Sequence, residues 1–422
     1  MTEEQILKGS ARVPRAVEGV TPSIVPNASG ETPNATGGTP VLPKSSLPDG
    51  WRWVKLGEIV KRQSSNSHLI KGRLSSSPAP DLFPAYSASG QDVWHDEAEH
   101  QGKAIILSAV GARCGKCFLA DGEWSAIANT HIIWPLVEQV DVEFLWYLLN
   151  NENFWSKDQA IQPFVQVGAT LQKEIALPPL AEQKRIAGIL KVQMAAVERA
   201  RASAEAQLQA AEHLPAAYLR AVFNNGISKS WPRKRFGDIC EIIAKQVDPK
   251  VPEYGALPHV NGENIESGLC RVTYLNTAAQ EGMISGKYLF ETGDVLYSKL
   301  RPYLRKAVVA DFRGVCSADM YPLRVNREII DPQFTAWLLV SDEFTDYADE
   351  ESRRARMPKL NREQLFAWDA PVPPLADQRR IAAKLLSQMA SAERLRQMLT
   401  GQLDAINKLP AALLRRAFNG EL

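Results

Sequence analysis

The chain has almost no net charge. Its 49 lysines and arginines stand against 48 acidic residues, leaving a formal +1 over 422 residues. Nothing global therefore demands an acidic partner, and only local clusters of charge can argue for one. Long apolar runs are also missing. None reaches membrane-spanning length, and the N-terminus lacks the basic-then-apolar layout of a secretory signal. Cysteine is scarce and odd in number, at five, which fits a reducing cytoplasm better than a disulfide framework. Two of the five form the C-x-x-C of Cys114-Gly115-Lys116-Cys117, but no second pair stands at a useful spacing, and Cys240, Cys270 and Cys316 are scattered. That argues against a zinc site or a redox pair. The stretch from Gly111 to Cys117 also lacks the spacing and the Ser/Thr of a phosphate-binding loop.

What is present is ordinary in composition, 45% hydrophobic and 23% charged, and the length allows two globular domains with connecting elements. Residues 1–46 are rich in Thr, Pro, Gly, Ser and Asn. Such a segment cannot bury enough apolar surface to offset its ordering entropy, so a disordered tail is expected there. Asn27 and Asn34 match a glycosylation sequon, which is chance in a chain without a secretory signal.

The informative feature is an internal repeat. Leu177 to Leu190 reads LPPLAEQKRIAGIL and Val372 to Leu385 reads VPPLADQRRIAAKL, with nine of fourteen positions identical. LPAAYLRAVFN from Leu214 and LPAALLRRAFN from Leu409 share eight of eleven. Both pairs lie 195 residues apart (372 − 177 and 409 − 214), so the intervening segment has one length in both copies. Weaker matches join Trp51 and Leu56-Gly57-Glu58-Ile59 to Trp231 and Phe236-Gly237-Asp238-Ile239, and Asp141 and Phe144 to Asp331 and Phe334. A period near 190 residues is domain-sized, so duplication is the reading, rather than a solenoid.

The segments of fixed length read as helices. Pro178-Pro179 and Pro373-Pro374 suit helix starts, and Glu182 and Asp377 then fall on the favourable side of the helix dipole. Ile381, Leu385, Gln388, Ala392, Leu395, Leu399, Leu403 and Ile406 follow a three-four spacing, matched by Ile186, Leu190, Gln193, Val197, Ala200, Ala204, Leu208 and Ala211. This is a coiled-coil seam, leaner in the first copy. Pro215 and Pro410 predict a kink or a restarted helix at the matched place. Pseudo-twofold packing would make the pair antiparallel, with a globular domain at each end. Gln193 and Gln388 are a matched polar interruption, read as a tolerated polar residue near a helix end or as a register-setting or partner-facing one.

The globular stretches read as mixed α/β. Residues 103–108 and 294–298 look like buried strands, and each runs into a basic turn, 111–116 and 299–306. Ser108 and Lys116 coincide with Ser298 and Lys306 at an offset of 190, while the loops around them differ. Two related domains with different ligands would show this pattern.

These residues resemble the specificity subunits of type I restriction–modification systems. The resemblance rests on PPLAEQKRI and PPLADQRRI, the terminal LLRRAFNGEL, LPDGWRWVKLGEI from Leu47, ENIESG at Glu263 to Gly268, and GDVLYSKLRPYLRKAVVA at Gly293 to Ala310. It covers Leu47 to Leu422. It implies α/β target-recognition domains at 47–177 and 231–372, separated by helical spacers at 178–230 and 373–422 that form an antiparallel coiled coil. The implied function is to read a bipartite, asymmetric sequence in double-stranded DNA while docking two methyltransferase subunits and, through them, endonuclease/translocase subunits. The chain itself would be non-catalytic and without cofactor, with S-adenosylmethionine, ATP and Mg on the partners. In keeping with that, it has no Gly-rich fingerprint for S-adenosylmethionine followed by an Asn-Pro-Pro-Tyr-type site. A coiled-coil scaffold with two protein-binding domains is the rival reading.

DNA chemistry then selects candidate residues. Arginine and lysine neutralise phosphates, and Arg, Asn and Gln pair with base edges. Lys299, Arg301, Arg305 and Lys306 form the densest basic loop, with Tyr303 beside them as framework. Asn261, Glu263 and Asn264 occupy a polar turn, and Arg353, Arg354, Arg356 and Lys359 a further cluster. Arg113 and Lys116 are the first-domain counterparts, with Gln91 and Ser108 weaker. For each, the bland alternative is a solvated surface group.

Overall fold

The computed structural model describes residues 47–158, 161–352 and 358–422. These divide into two compact units. One contains Lys55–Leu136 and Leu149–Glu174, and the other Val137–Leu148 and Ile175–Leu422 together with residues 47–54.

The first unit is built on two four-stranded sheets. β1 (Val60–Ser64), β5 (Ala104–Ser108), β6 (Cys117–Ala120) and β8 (Thr130–Pro135) lie in the order β1-β8-β5-β6. β2 (Phe83–Ser87), β3 (Gly90–His95), β4 (His100–Gln101) and β7 (Glu123–Ala126) lie in the order β3-β2-β7-β4. The apolar run of β5 is buried along its whole length, as a central strand covered on both faces must be. Ile106 packs with Trp124 and Ile132 in one cluster of this core.

The second unit repeats the scheme. α1 (Val142–Leu149) precedes the long α2 (Leu180–Glu212) and short α3 (Leu214–Phe223). One sheet then runs β9 (Cys240–Ile242), β16 (Met320–Val325), β13 (Val295–Ser298), β14 (Ala307–Val309), the strand order of the first sheet above. The other runs β10 (Gln246–Val247), β12 (Lys287–Phe290), β15 (Gly314–Cys316), β11 (His259–Val260). In both domains a parallel pair (β2 with β7, β11 with β15) is extended by an antiparallel strand, β4 or β12. The fourth strand differs: β3 hairpins onto β2, whereas β10 adds beside β12. Divergence is thus concentrated at a sheet edge, where a change disturbs the fewest ladder bonds.

α4 (Pro332–Leu339), α5 (Asp342–Ser352) and α6 (Leu375–Phe418) complete the chain. α2 and α6 pack antiparallel. Arg185, near the start of α2, donates to the carbonyl of Leu422; Val197 and Ala204 cluster with Ile406; and Ala211 lies with Ala392 around one cavity. Buried seam positions recur every seven residues, at Leu190, Val197, Ala204 and Ala211 on α2 and at Leu385, Ala392, Leu399 and Ile406 on α6, with Ile186, Ile381 and Met389 buried beside them. The expected seam was denser than this. Ala200 is exposed and Leu208 only half-buried, because a two-helix contact covers a narrow stripe. Gln193 carries a buried Oε1 with no hydrogen-bond partner among the described residues.

Pro215 and Pro410 act differently. The first helix breaks at His213 and restarts as α3, with Pro215 in its first turn, while α6 continues through Pro410. The first sheet of the second unit shares one apolar core with the strut. Phe334, Trp337 and Leu338 pack in a single cluster with Leu219, Phe223, Ile381 and Leu385, and that is why both fall in one unit.

Candidate nucleic-acid interface

The basic loop of the second domain joins β13 to β14 as a tight 3-10 turn, Pro302–Leu304, flanked by two left-handed residues. Arg301 has φ of 50° and Arg305 of 48°. Side chains rarely adopt this conformation, and each costs on the order of 1–3 kcal/mol unless the surroundings impose it. Here they do. The N–H of Arg301 donates to Pro358 at 2.9 Å, that of Leu304 to Arg301 at 2.8 Å, and Gly268 donates to the carbonyl of Arg305 at 2.9 Å.

The four basic side chains fare unequally. Lys299 is buried, with its ammonium on the Ala318 carbonyl and 5.0 Å from the centre of the Tyr321 ring. Burial, then the neighbouring Lys359, lowers its pKa. Arg305 pairs with Asp342 at 2.5 Å, and Lys306 donates to the carbonyl of Gly262. Arg301 is exposed, and its guanidinium has no hydrogen bond or ion pair among the described residues. Tyr303 is half exposed beside it.

The polar turn 261–264 is brought against this loop. Lys306 bonds Gly262, and a Cβ at Gly262 would lie 3.2 Å from the Ser298 hydroxyl. Asn261 and Asn264 form a capping box in which Asn261 Oδ1 accepts from the N–H of Glu263 at 2.6 Å and Asn264 Oδ1 from that of Asn261 at 2.9 Å. Asn264 is buried and also donates to Tyr274 at 3.2 Å. Its amide is therefore spent on folding the turn, whereas Glu263 faces solvent. Lys359 is exposed on the bridge that pairs it with Leu300, while Arg353, Arg354 and Arg356 lie outside the described residues.

The ENIESG turn also docks on the strut. Arg271 pairs with Glu266 at 2.5 Å and approaches Glu393 of α6 at 3.8 Å. The hydrogen bond from Arg396 pulls the Glu393 carboxyl down to about 2.

In the first domain the matched loop is folded by Gly111 and Gly115, with φ of 95° and 93°. Gly115 has to be glycine for a second reason: a Cβ there would meet the Lys157 side chain at 3.0 Å and Trp155 at 3.2 Å. Ser108 is fully buried with an unpartnered hydroxyl among the described residues. Lys116 is half-buried over Phe118, 5.9 Å from the ring centre. Arg113 and Gln91 are exposed and reach the carbonyls of Ser89 at 3.5 Å and Val93 at 3.4 Å. Cys117 is buried, donates to Leu149 at 3.3 Å and has its pKa raised by burial, the reverse of what a thiolate ligand or a reactive thiol needs.

One matched pair of buried polar residues escaped the sequence reading. Gln183 and Gln378 are fully buried at the starts of α2 and α6. Gln183 accepts from the N–H of Asp141 at 2.8 Å and donates to the carbonyls of Gln139 and Pro178 at 3.0 and 2.9 Å. Gln378 does the same with Asp331 at 2.8 Å, Ile329 at 3.0 Å and Pro373 at 2.7 Å. Their identity across the repeat was the available signal.

The family model for the type I restriction modification DNA specificity domain matches twice, at residues 48–205 and 228–398. The chain belongs to this family. Each match contains one recognition domain and the first part of one strut helix, so the duplication in sequence is a duplication of the whole specificity domain. The chain is 28% identical over 416 residues to the type I restriction enzyme EcoDI specificity subunit of Escherichia coli, covering 89% of each chain. To the EcoprrI specificity subunit of Escherichia coli it is 22% identical, over 32% of this chain and 34% of the relative. Among solved structures, one from work on complex assembly and conformational transition of the type I R-M system matches with TM-score 0.64 at 21% identity, covering 89% of this chain and all of the other. The HsdS subunit of Thermoanaerobacter tengcongensis matches with TM-score 0.57 at 21% identity, covering 89% and 98%. At such identities the structures speak for the fold, and the family model for the role: DNA sequence specificity in a type I restriction–modification system. Among the described residues no helix is long and apolar enough to cross a membrane.

Proposed function

We propose that each specificity domain reads one half of a bipartite, asymmetric sequence in double-stranded DNA, and that the paired strut helices set the gap. The observation that carries this is the shared strand order of one sheet in each domain, bearing unlike loops, together with helices whose buried positions lie 195 residues apart, as Leu190 does from Leu385. Constant seats with variable loops are what a two-part reader needs. The strut would also dock two methyltransferase subunits, with endonuclease subunits joining through the complex. Val192, Leu386 and Met398 support that, being large apolar side chains exposed on helices that already have each other as partner. Catalysis would belong to those partners, with S-adenosylmethionine, ATP and Mg held there, and the assembly would work in the cytoplasm.

Coexpression with the methyltransferase partner, followed by mapping of modified adenines, tests the reading. A single two-part motif with a fixed gap is the expected result. A contiguous motif, or a stable complex that binds duplex DNA no better at low salt than at high salt, would overturn it, since phosphate contacts require salt dependence.

Within the second domain, Arg301 is the side chain of the basic loop with no hydrogen bond or ion pair among the described residues. Arg301→Ala should weaken the second half-site by about 1–3 kcal/mol if it reads a base edge. Lys299→Ala should instead lower the melting temperature, because its ammonium holds a main-chain carbonyl. Measuring methylation rates across single-base variants of the motif separates base reading from phosphate binding: the former relaxes one position, the latter lowers all equally.

A further inference from the structure

We infer that Gln378 is the positioning residue that fixes how the second recognition domain is set on the strut, and through that setting the gap accepted in the DNA. The inference rests on the two-part reading above. All three hydrogen bonds of the Gln378 amide go to main-chain groups: the N–H of Asp331 and the carbonyls of Ile329 and Pro373. A primary amide offers two donors and an acceptor oxygen, and here both ends are used at once with the side chain fully buried. The bonds hold the first turn of α6 to the segment that enters α4.

Asp331 in turn caps α4, accepting from the N–H groups of Gln333 at 2.9 Å and Phe334 at 3.0 Å. α4 packs on β13 and β14, the two strands that carry the loop with Arg301. A short rigid path thus runs from the strut through one amide to the candidate reading loop. Gln183 makes the same three bonds at the start of α2. Since neither glutamine touches a partner side chain in these bonds, the seat is indifferent to the sequence of the domain placed on it.

The test uses the assembled methyltransferase with duplexes carrying both native half-sites and gaps from two base pairs shorter to two longer. Gln378→Met keeps length and removes all three bonds. The expected result is about a tenfold loss of methylation rate at the native gap, with little change at neighbouring gaps, so that discrimination between gaps collapses while base preference within each half stays. Equal loss at every gap, or unchanged discrimination, would make the glutamine merely structural. Gln378→Glu retains the bond accepted from Asp331 and gives a second chance should the Met variant fail to assemble; it must show a partial loss of gap discrimination, and full retention overturns the inference. A native protein that tolerates every gap would instead remove the two-part reading itself.

Discussion

Removing one heptad from each strut helix, residues 198–204 and 400–406, shortens the gap of the recognised sequence by about three base pairs and leaves both half-sequences intact. Seven residues at about 1.5 Å each span roughly 10 Å, against roughly 34 Å for a ten-base-pair turn. Both helices must lose the same length. The buried seam pairs Val197 and Ala204 with Ile406 across an antiparallel contact, so a deletion in one helix alone strands apolar residues against the wrong partners. A heptad, unlike five or six residues, returns every seam residue to the buried stripe. Methylation of the original target should fall at least about a hundredfold, because phosphate and base contacts of one domain are then out of phase. Sequencing of modified adenines reads the new gap directly. Altered half-sequences with an unchanged gap would mean that the strut is not the ruler.

Replacing residues 47–177 with the corresponding domain of another specificity subunit should change one half-sequence completely and the other not at all. Each lost base pair costs roughly 1–3 kcal/mol, so a half-site of several bases alters preference by a factor well above a hundred. The exchange is expected to fold because Gln183 binds only the main chain of the incoming domain, at the positions now held by Gln139 and Asp141. A donor with an acidic residue at the Asp141 position keeps the cap on the following helix, where Asp141 accepts from the N–H of Phe144 at 2.9 Å. A change in both halves would show that the domains read DNA jointly. Should the modified motif stay the same, recognition would have to lie outside the exchanged residues.

Much of this protein was fixed by local pattern. The paired prolines, the 195-residue offset and the heptad of Leu385, Leu399 and Ile406 determine two matched helices and their amphipathic stripe, since helix starts and seams depend on residues close in sequence. The buried runs around Ile106 and Leu296 likewise announce central strands. Tertiary structure decided what each polar or basic residue does, because that depends on which distant backbone group lies within hydrogen-bond reach. Lys299 is as basic as Arg301 in the sequence, yet Ala318 and Tyr321 claim it, while Asn264 is consumed by Asn261 and Tyr274. The two glutamines look like any polar residue on the face of a helix. Only the folding of Asp141 and Asp331 against the helix starts brings their N–H groups within reach of Gln183 and Gln378.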